Sequence, residues 1–204
     1  MGSANGKLWL TLEGAPLLLH TLQALQASPV IRWIIPVVRA SERARVEALI
    51  AAGKITKALA PCLGGVSRAA SVAHGFAMLP HAAQWVLVHD GARPCLHTTL
   101  IARAVRAAKQ HGAVACGLPA AVTIKAVDVA GQVRLTLNRE SLWCVQTPQV
   151  FRRAWLAHAL RAAQGQHEVF PDDAAVVEAA GYRVTMCRGD PLNIKVTTAE
   201  DVLL

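Results

Sequence analysis

The sequence predicts an α/β protein built on a mostly parallel sheet, and three observations lead there. Apolar strand-like runs alternate with helical periodicity along nearly the whole chain, as in repeated β-α units. Trp85-Val86-Leu87-Val88 meets no polar residue until His89, which suits a strand buried on both faces. Residues 119–141 break the alternation with a β-branched hairpin pattern around Ala130-Gly131, so a protruding arm, a candidate for dimerisation, is expected there. With 204 residues and no repeat, low-complexity tract or linker, one domain over residues 1–204 is expected.

The elements follow in order. Residues 1–14 hold no strand; Lys7 sits just before Leu8-Trp9-Leu10. Pro16 opens the helix PLLLHTLQALQA, because proline is tolerated in a first turn. Residues 31–38 read as a strand, and Pro36 inside it argues for a sheet edge or a bulge. Ser41 is the expected cap of a helix to Ala52, closed by Gly53. A weaker strand, residues 56–61, runs into CLGGVSRAASVAHGF with a helix from Ser67. There Gly64-Gly65 suits either a plain turn or an anion site facing the helix dipole, with Arg68 and Ser71 on the first turn. Thr98 is the expected cap of a helix to Gln110, and residues 113–118 form a small-residue strand. Beyond the arm, SLWCVQTPQVF reads as strand and turn, residues 152–163 and 172–180 as helices, YRVTMCRGD and LNIKVTT as strands, and TAEDVLL as the start of a capped helix.

Composition narrows the function. Hydrophobic residues at 53% against 17% charged exclude a disordered chain. No apolar run reaches the roughly 18 residues of a membrane span and no targeting pattern opens the chain, so a cytoplasmic protein without a membrane partner is expected. Cys62, Cys95, Cys116, Cys144 and Cys187 form no CxxC pair and read as reduced, buried thiols rather than a zinc site. The net charge of +8 is dispersed, with its tightest cluster at residues 39–45 and no interleaved aromatics. That favours small phosphorylated ligands over nucleic acid.

The chemistry is expected where the central strand ends, at Asp90-Gly91-Ala92-Arg93-Pro94. In open α/β sheets ligands bind at the carboxyl ends of strands. Arginine forks onto phosphate oxygens and carboxylates hold magnesium, so this turn suits a phosphate with its metal ion; an ordinary Asp–Arg ion pair suits the same residues. Asp172-Asp173 stands at a helix start, where acids favour the dipole, and reads as a cap with substrate-side contacts at most.

The segments LGGVSRAASV, QWVLVHDGARPCL, TIK, LNRESLWCVQTPQVF, PDDAAVVEAAGY and NIKVTTAEDV resemble, in order and spacing, the 2-C-methyl-D-erythritol 4-phosphate cytidylyltransferase family from about Lys7 to the chain's end. The resemblance implies a Rossmann-like nucleotidyltransferase sheet whose β-arm embraces a second subunit. It implies transfer of the cytidylyl group of CTP to methylerythritol phosphate, with Mg2+ accompanying CTP and Asp90 touching the ion indirectly. Lys7 and Lys195 match the lysines that stabilise the α-phosphate in attack. Gly65, Ser71 and Gly91 match nucleotide-binding positions, and Arg68 lies beside them on the same helix. Asp90 and Arg93 match the pair between nucleotide and substrate. Thr123 and Arg139 on the arm match residues reaching the partner subunit's substrate, and Thr147 matches a substrate-side threonine. His89 is expected to be a packed residue, because an ionised phosphate attacks without a base. A ribitol 5-phosphate cytidylyltransferase and a non-catalytic homologue that dimerises and binds phosphorylated ligands remain alternatives. The family's opening strand and PAAGxGxRMG loop have no counterpart beyond Met1-Gly2-Ser3, and Gly6-Lys7-Leu8 replaces its PKQ. A longer encoded chain is therefore expected, and these residues alone are expected to fold and bind CTP poorly. The final helix likewise looks cut short after Leu204.

Overall fold

The structure, a computed structural model, describes residues 6–164, 169–198 and 200–203. Met1-Gly2-Ser3 and Leu204 lie outside them. After a 3-10 turn, Lys7–Trp9, a small antiparallel hairpin pairs β1 (Thr11–Leu12) with β2 (Ala15–Pro16), where the sequence predicts no strand. Glu13 and Gly14 at its tip take φ of 48° and 79°, the left-handed pair that a two-residue hairpin needs. Then come α1 (Leu17–Ala27), β3 (Val37–Val38), α2 (Arg43–Ala52), β4 (Cys62–Leu63), α3 (Arg68–Ala77), β5 (Trp85–Val88) and α4 (Thr98–His111). The second half holds β6 (Ala113–Pro119), β7 (Ile124–Val127), β8 (Val133–Leu137), β9 (Trp143–Arg152), α5 (Arg153–Ala162), α6 (Asp173–Ala179), β10 (Thr185–Arg188) and a 3-10 turn, Glu200–Leu203.

The central sheet has the order β10-β6-β9-β5. β10 pairs parallel with β6, while β9 runs antiparallel to both β6 and β5, so the sheet is mixed rather than mostly parallel as expected, with β9 as its reversed member. Successive strand residues point to opposite faces, and both faces here are covered. Val114 and Val150 face Leu18, Leu22, Leu100 and Ile101 of α1 and α4. Their neighbours Ala113 and Phe151 face Leu156, Val176 and Val177 of α5 and α6. The long apolar runs of β5, β6 and β9 are therefore core on both sides. In α4 the buried positions Leu100, Ile101, Ala104 and Ala108 form one stripe at helical spacing.

Several local expectations need correction. Residues 31–38 and 56–61 reduce to a bridge between Ile34 and Ala58 plus the parallel pair β3 and β4. Pro36, lacking an N–H, interrupts the ladder between them. A 3-10 turn, Ala40–Glu42, precedes α2 in place of a Ser41 cap; Gly53 closes the helix as expected, and Lys54 after it takes the left-handed conformation at φ 50°. His97, not Thr98, caps α4, its Nδ1 accepting the Thr99 N–H. The segment 143–152 is one strand with a register shift rather than strand and turn. LNIKVTT forms no strand, because its backbone is drawn onto the turn after β5, where the Val196 N–H donates to Ala92. Cys116 and Cys187 are buried, but Cys95 and Cys144 are exposed; all five thiols are free.

The arm is present as the hairpin β7–β8, with Gly131 at φ 80° in its turn and a bulge opposite Val127. Val122, Val127, Val129, Val133 and Leu135 are exposed on and beside it. At the opposite end of the sheet order, β5 pairs with β9 on one side only among the described residues. Its other edge looks across an open cleft of about 990 Å3 toward Ile34 and Val38.

Gly112 ends α4 at φ 87°, and a Cβ there would run into the Trp155 ring. Gly112→Ala is expected to destabilise the protein by about 2 kcal/mol or more, combining left-handed strain with overpacking, as read from the urea unfolding midpoint.

Candidate active site

Asp90 lies two residues beyond β5, at the mouth of the cleft, with its side chain only 12% exposed. Three cations from three parts of the chain meet on its carboxylate. Arg68 Nη1 donates to Oδ1 at 3.1 Å, Lys195 Nζ lies 3.0 Å from Oδ2, and Arg93 Nε lies 3.5 Å from Oδ2. Arg68 is the first residue of α3, whose N-cap Ser67 accepts the Ala70 N–H. A cation opposes the helix dipole there, so it needs carboxylate partners. It has two: its second arm, Nη2, donates to Asp173 Oδ2 at 2.6 Å. Asp173 is 1% exposed. Removing the Asp90 carboxylate would leave the buried Arg93 guanidinium without its anion, a loss of about 3–5 kcal/mol.

A second layer of hydrogen bonds holds these groups. Arg93 Nη1 donates to the Asn193 carbonyl at 2.7 Å, and Asn193 Nδ2 donates to the Thr147 carbonyl at 2.6 Å. The Gln146 amide bridges the Asp190 N–H and C=O, and the Val196 N–H donates to Ala92. Residues 190–196 are thus laced over the turn after β5, which carries Lys195 to Asp90. Opposite Ala115 and Cys116 the register of β9 slips past Thr147 and Pro148, and the Thr147–Pro148 peptide is cis. This bulge re-aims the strand. Thr147 Oγ1 there accepts the Asp90 N–H at 3.1 Å and lies 2.9 Å from His89 Nδ1. Below it, Gln149 Nε2 donates to Asp172 and Oε1 accepts the Ala174 N–H, docking the start of α6.

Burial disfavours the Asp90 anion, but the hydrogen bond and charge of Lys195, followed by Arg68, overcome that and bring its carboxyl down to about 2. It is therefore an anion throughout the physiological range. Burial raises the Asp173 carboxyl pKa, with Arg68 pulling the other way. Burial drives His89 down to about 4 despite the adjacent Asp90 charge, so the imidazole is neutral at pH 7 and cannot serve as a cation.

The structure brings most of the sequence-predicted residues together. Gly65, Arg68, Ser71, Asp90 and Gly91 line the cleft. The Gly65 N–H donates to Ser71 Oγ and the Gly64 N–H to the Val38 carbonyl, so these two amides are taken and do not form the anion cradle that the glycine pair suggests. A Cβ at Gly91 would sit 3.1 Å from Leu18 Cδ1 and 3.4 Å from Leu8 Cδ2, so its small size serves packing. Thr147 is 4% exposed with its hydroxyl engaged, and it acts on Asp90 rather than facing solvent. Lys7 is exposed, and among the described residues no ion pair joins it to the Asp90 cluster. Thr123 and Arg139 are exposed at the arm, where Arg139 Nη1 donates to Ala121 and, among the described residues, makes no ion pair with this cluster. Sequence reasoning passed over Asn193 and read Asp173, with Asp172, as a helix cap rather than as a partner of Arg68. Asp172 is the helix cap, accepting the Ala175 N–H, while the second acid of PDD turns to Arg68; the doubled aspartate was the available signal. Among the described residues no three acidic, histidine or cysteine side chains cluster as a metal cage.

The sequence matches the family model of 2-C-methyl-D-erythritol 4-phosphate cytidylyltransferase over residues 1–204. A protein of that name from Desulforamulus reducens is 39% identical over 205 residues, spanning 100% of this chain and 88% of the relative. One from Alkaliphilus metalliredigens is 40% identical over 208 residues, spanning 100% and 85%. Among solved structures, 2-C-methyl-D-erythritol 4-phosphate cytidylyltransferase from Thermus thermophilus superposes with a TM-score of 0.80 at 30% identity, covering 99% of this chain and 92% of that one. 4-Diphosphocytidyl-2C-methyl-D-erythritol synthase from Anaerococcus prevotii gives 0.86 at 25% identity, covering 95% and 86%.

Because His89 is held neutral, its contribution to stability is full above its unfolded value of 6.5 and is lost as pH falls toward about 4. Asp90 contributes above 3.8 and loses its contribution as pH falls through about 2. Denaturant unfolding at pH 7 and pH 4.5 is expected to show a loss of about 2–3 kcal/mol from His89 alone, a difference that His89→Asn abolishes.

Proposed function

The chain belongs to the 2-C-methyl-D-erythritol 4-phosphate cytidylyltransferase family, and we propose that its cleft carries out that family's reaction on CTP and 2-C-methyl-D-erythritol 4-phosphate. A phosphate oxygen of the polyol phosphate attacks the α-phosphorus of CTP. The bond from that phosphorus to the bridging oxygen breaks, and pyrophosphate leaves with the electron pair. The nucleophile is already ionised, so no base is required, in keeping with a neutral, buried His89. What the protein supplies is position and positive charge at a crowded phosphorus.

One observation carries this reading: Arg68, Arg93 and Lys195 converge on Asp90 at the mouth of the cleft. In this reading Lys195, 39% exposed, swings onto the α-phosphate, and Lys7 approaches it from the other side. Arg68 receives the nucleotide, with Gly65, Ser71 and Gly91 lining the cleft around it. Arg93, held by Asn193, braces Asp90 beside the polyol phosphate. Asp90, an ionised carboxylate, fits the usual manner of holding Mg2+, with one or two carboxylates and substrate phosphates. The ion would neutralise charge on the triphosphate.

The arm is proposed to clasp a second copy and to bring Thr123 and Arg139 to the partner's polyol phosphate. Its exposed valines, and the exposed Arg139 guanidinium bonded to Ala121 rather than to the Asp90 cluster, support this. The five free thiols suit the cytoplasm, and no helix among the described residues is long and apolar enough to cross a membrane.

Pyrophosphate release from CTP with methylerythritol phosphate, and not with ribitol 5-phosphate, is the deciding assay; a folded protein that releases none overturns the reading. Lys195→Ala is expected to lower kcat by about 10²- to 10³-fold, the scale of losing one charge-stabilising donor. Mixing Lys195→Ala and Arg139→Ala protomers is expected to restore about a quarter of full activity, because half the dimers are mixed and each has one intact site. No recovery on mixing would place Arg139 in its own subunit's site.

A further inference from the structure

Lys7 is assigned a phosphate role under the proposed function, and the present inference rests on that reading. Its side chain is exposed, and what the structure secures is the backbone on either side of it. The 3-10 turn is closed by the Trp9 N–H donating to Gly6 at 2.9 Å and the Leu10 N–H donating to Lys7 at 3.2 Å. Trp9 is 8% exposed, and its Nε1–H donates to Glu42 Oε1 at 3.2 Å. The Arg45 guanidinium stacks 3.8 Å above the same ring. Gly6 lies close to that carboxylate, since a Cβ on it would be 3.4 Å from Glu42 Oε1. Leu8, on the other flank, reaches the cleft and lies against the Gly91 position.

Lys7 thus stands between two anchors. One ties Trp9 to the turn that starts α2; the other ties Leu8 to the loop carrying Asp90. A buried indole N–H demands an acceptor, and a ring under a guanidinium gains from cation–π attraction, so the first anchor is specific in direction as well as apolar. We infer that Trp9, Glu42 and Arg45 form a mount that fixes the Lys7 backbone beside the cleft that Leu8 and Glu42 line, and so directs its ammonium group to the nucleotide phosphates. All three are positioning residues; none touches the reacting atoms. Glu42 and Arg45 sit at the start of α2, and the mount gives that helix a part in the site.

The test is lysine acetylation of the whole protein, read by mass spectrometry with and without CTP. In the unsubstituted protein CTP is expected to slow acetylation of both Lys7 and Lys195. Trp9→Phe keeps the ring under Arg45 but removes the donor, and Glu42→Ala removes the acceptor. Each is expected to cut the protection at Lys7 by about tenfold while leaving Lys195 protected, whereas Glu42→Gln, which keeps an acceptor, retains it. Lys7 still protected in both variants overturns the mount. Lys7 unprotected in the unsubstituted protein, with Lys195 protected, overturns the mount and the phosphate role of Lys7 together. Protection at neither lysine counts against the nucleotide-site reading itself. In turnover, Trp9→Phe is expected to lower kcat about tenfold in the parent and to add nothing to Lys7→Ala, the non-additivity of two residues acting as one unit. A purely structural tryptophan would add its loss in both backgrounds.

Discussion

The Asp90 carboxylate is the constraint on which the site depends. Like-charged groups do not gather unaided, and Arg68, Arg93 and Lys195 are brought within 3.5 Å of one acid because that acid is buried, ionised and held from behind. Its backbone N–H is fixed by Thr147, and Thr147 is fixed by a bulge in β9 beside the neutral His89. The loop bearing Lys195 is tied down through Asn193 and Val196. The cluster is thus an outcome of main-chain geometry as much as of side-chain attraction. Asp173 extends it from below, so that Arg68 is shared between two acids far apart in the sequence. A polyanion entering the cleft meets cations already assembled, which lowers the reorganisation needed when charge builds up at phosphorus.

The reversed strand β9 is what makes this arrangement available. It lies between β6 and β5 and passes from the arm at one end to α5 at the other. Because it runs against its neighbours, Gln146 and Thr147 reach the carboxyl ends of β6 and β5, where the ligand side of such a sheet lies. One strand therefore links arm, bulge and charge cluster. Gln149, two residues on, anchors α6 and with it Asp173.

Much of this was legible in the residues. Two-faced burial of β5 followed from an apolar run without alternation, the arm from β-branched alternation about Ala130-Gly131, and the ligand end from an acid, a glycine and an arginine in sequence at a strand's close. What stayed hidden is non-local. The direction of β9 is set by its partners, and nothing in SLWCVQTPQVF distinguishes a parallel from an antiparallel strand. Asn193 and Lys195 look like strand residues until the turn after β5 supplies hydrogen bonds that a ladder would otherwise give. Asp173 hides beside a residue with a sufficient local role, since Asp172 alone satisfies the cap. His97 capped α4 where Thr98 was the conventional choice, because side-chain acceptors one residue apart compete on geometry that propensity does not record.

The side of β5 left unpaired among the described residues has a consequence beyond binding. Backbone donors and acceptors along an open strand edge are an invitation to any extended polypeptide, and here apolar side chains from both layers flank the opening. A second molecule could lend a strand as readily as a segment in cis, and each lent strand would leave its donor open in turn. Self-association of this kind propagates as a growing intermolecular sheet rather than closing as a symmetric pair.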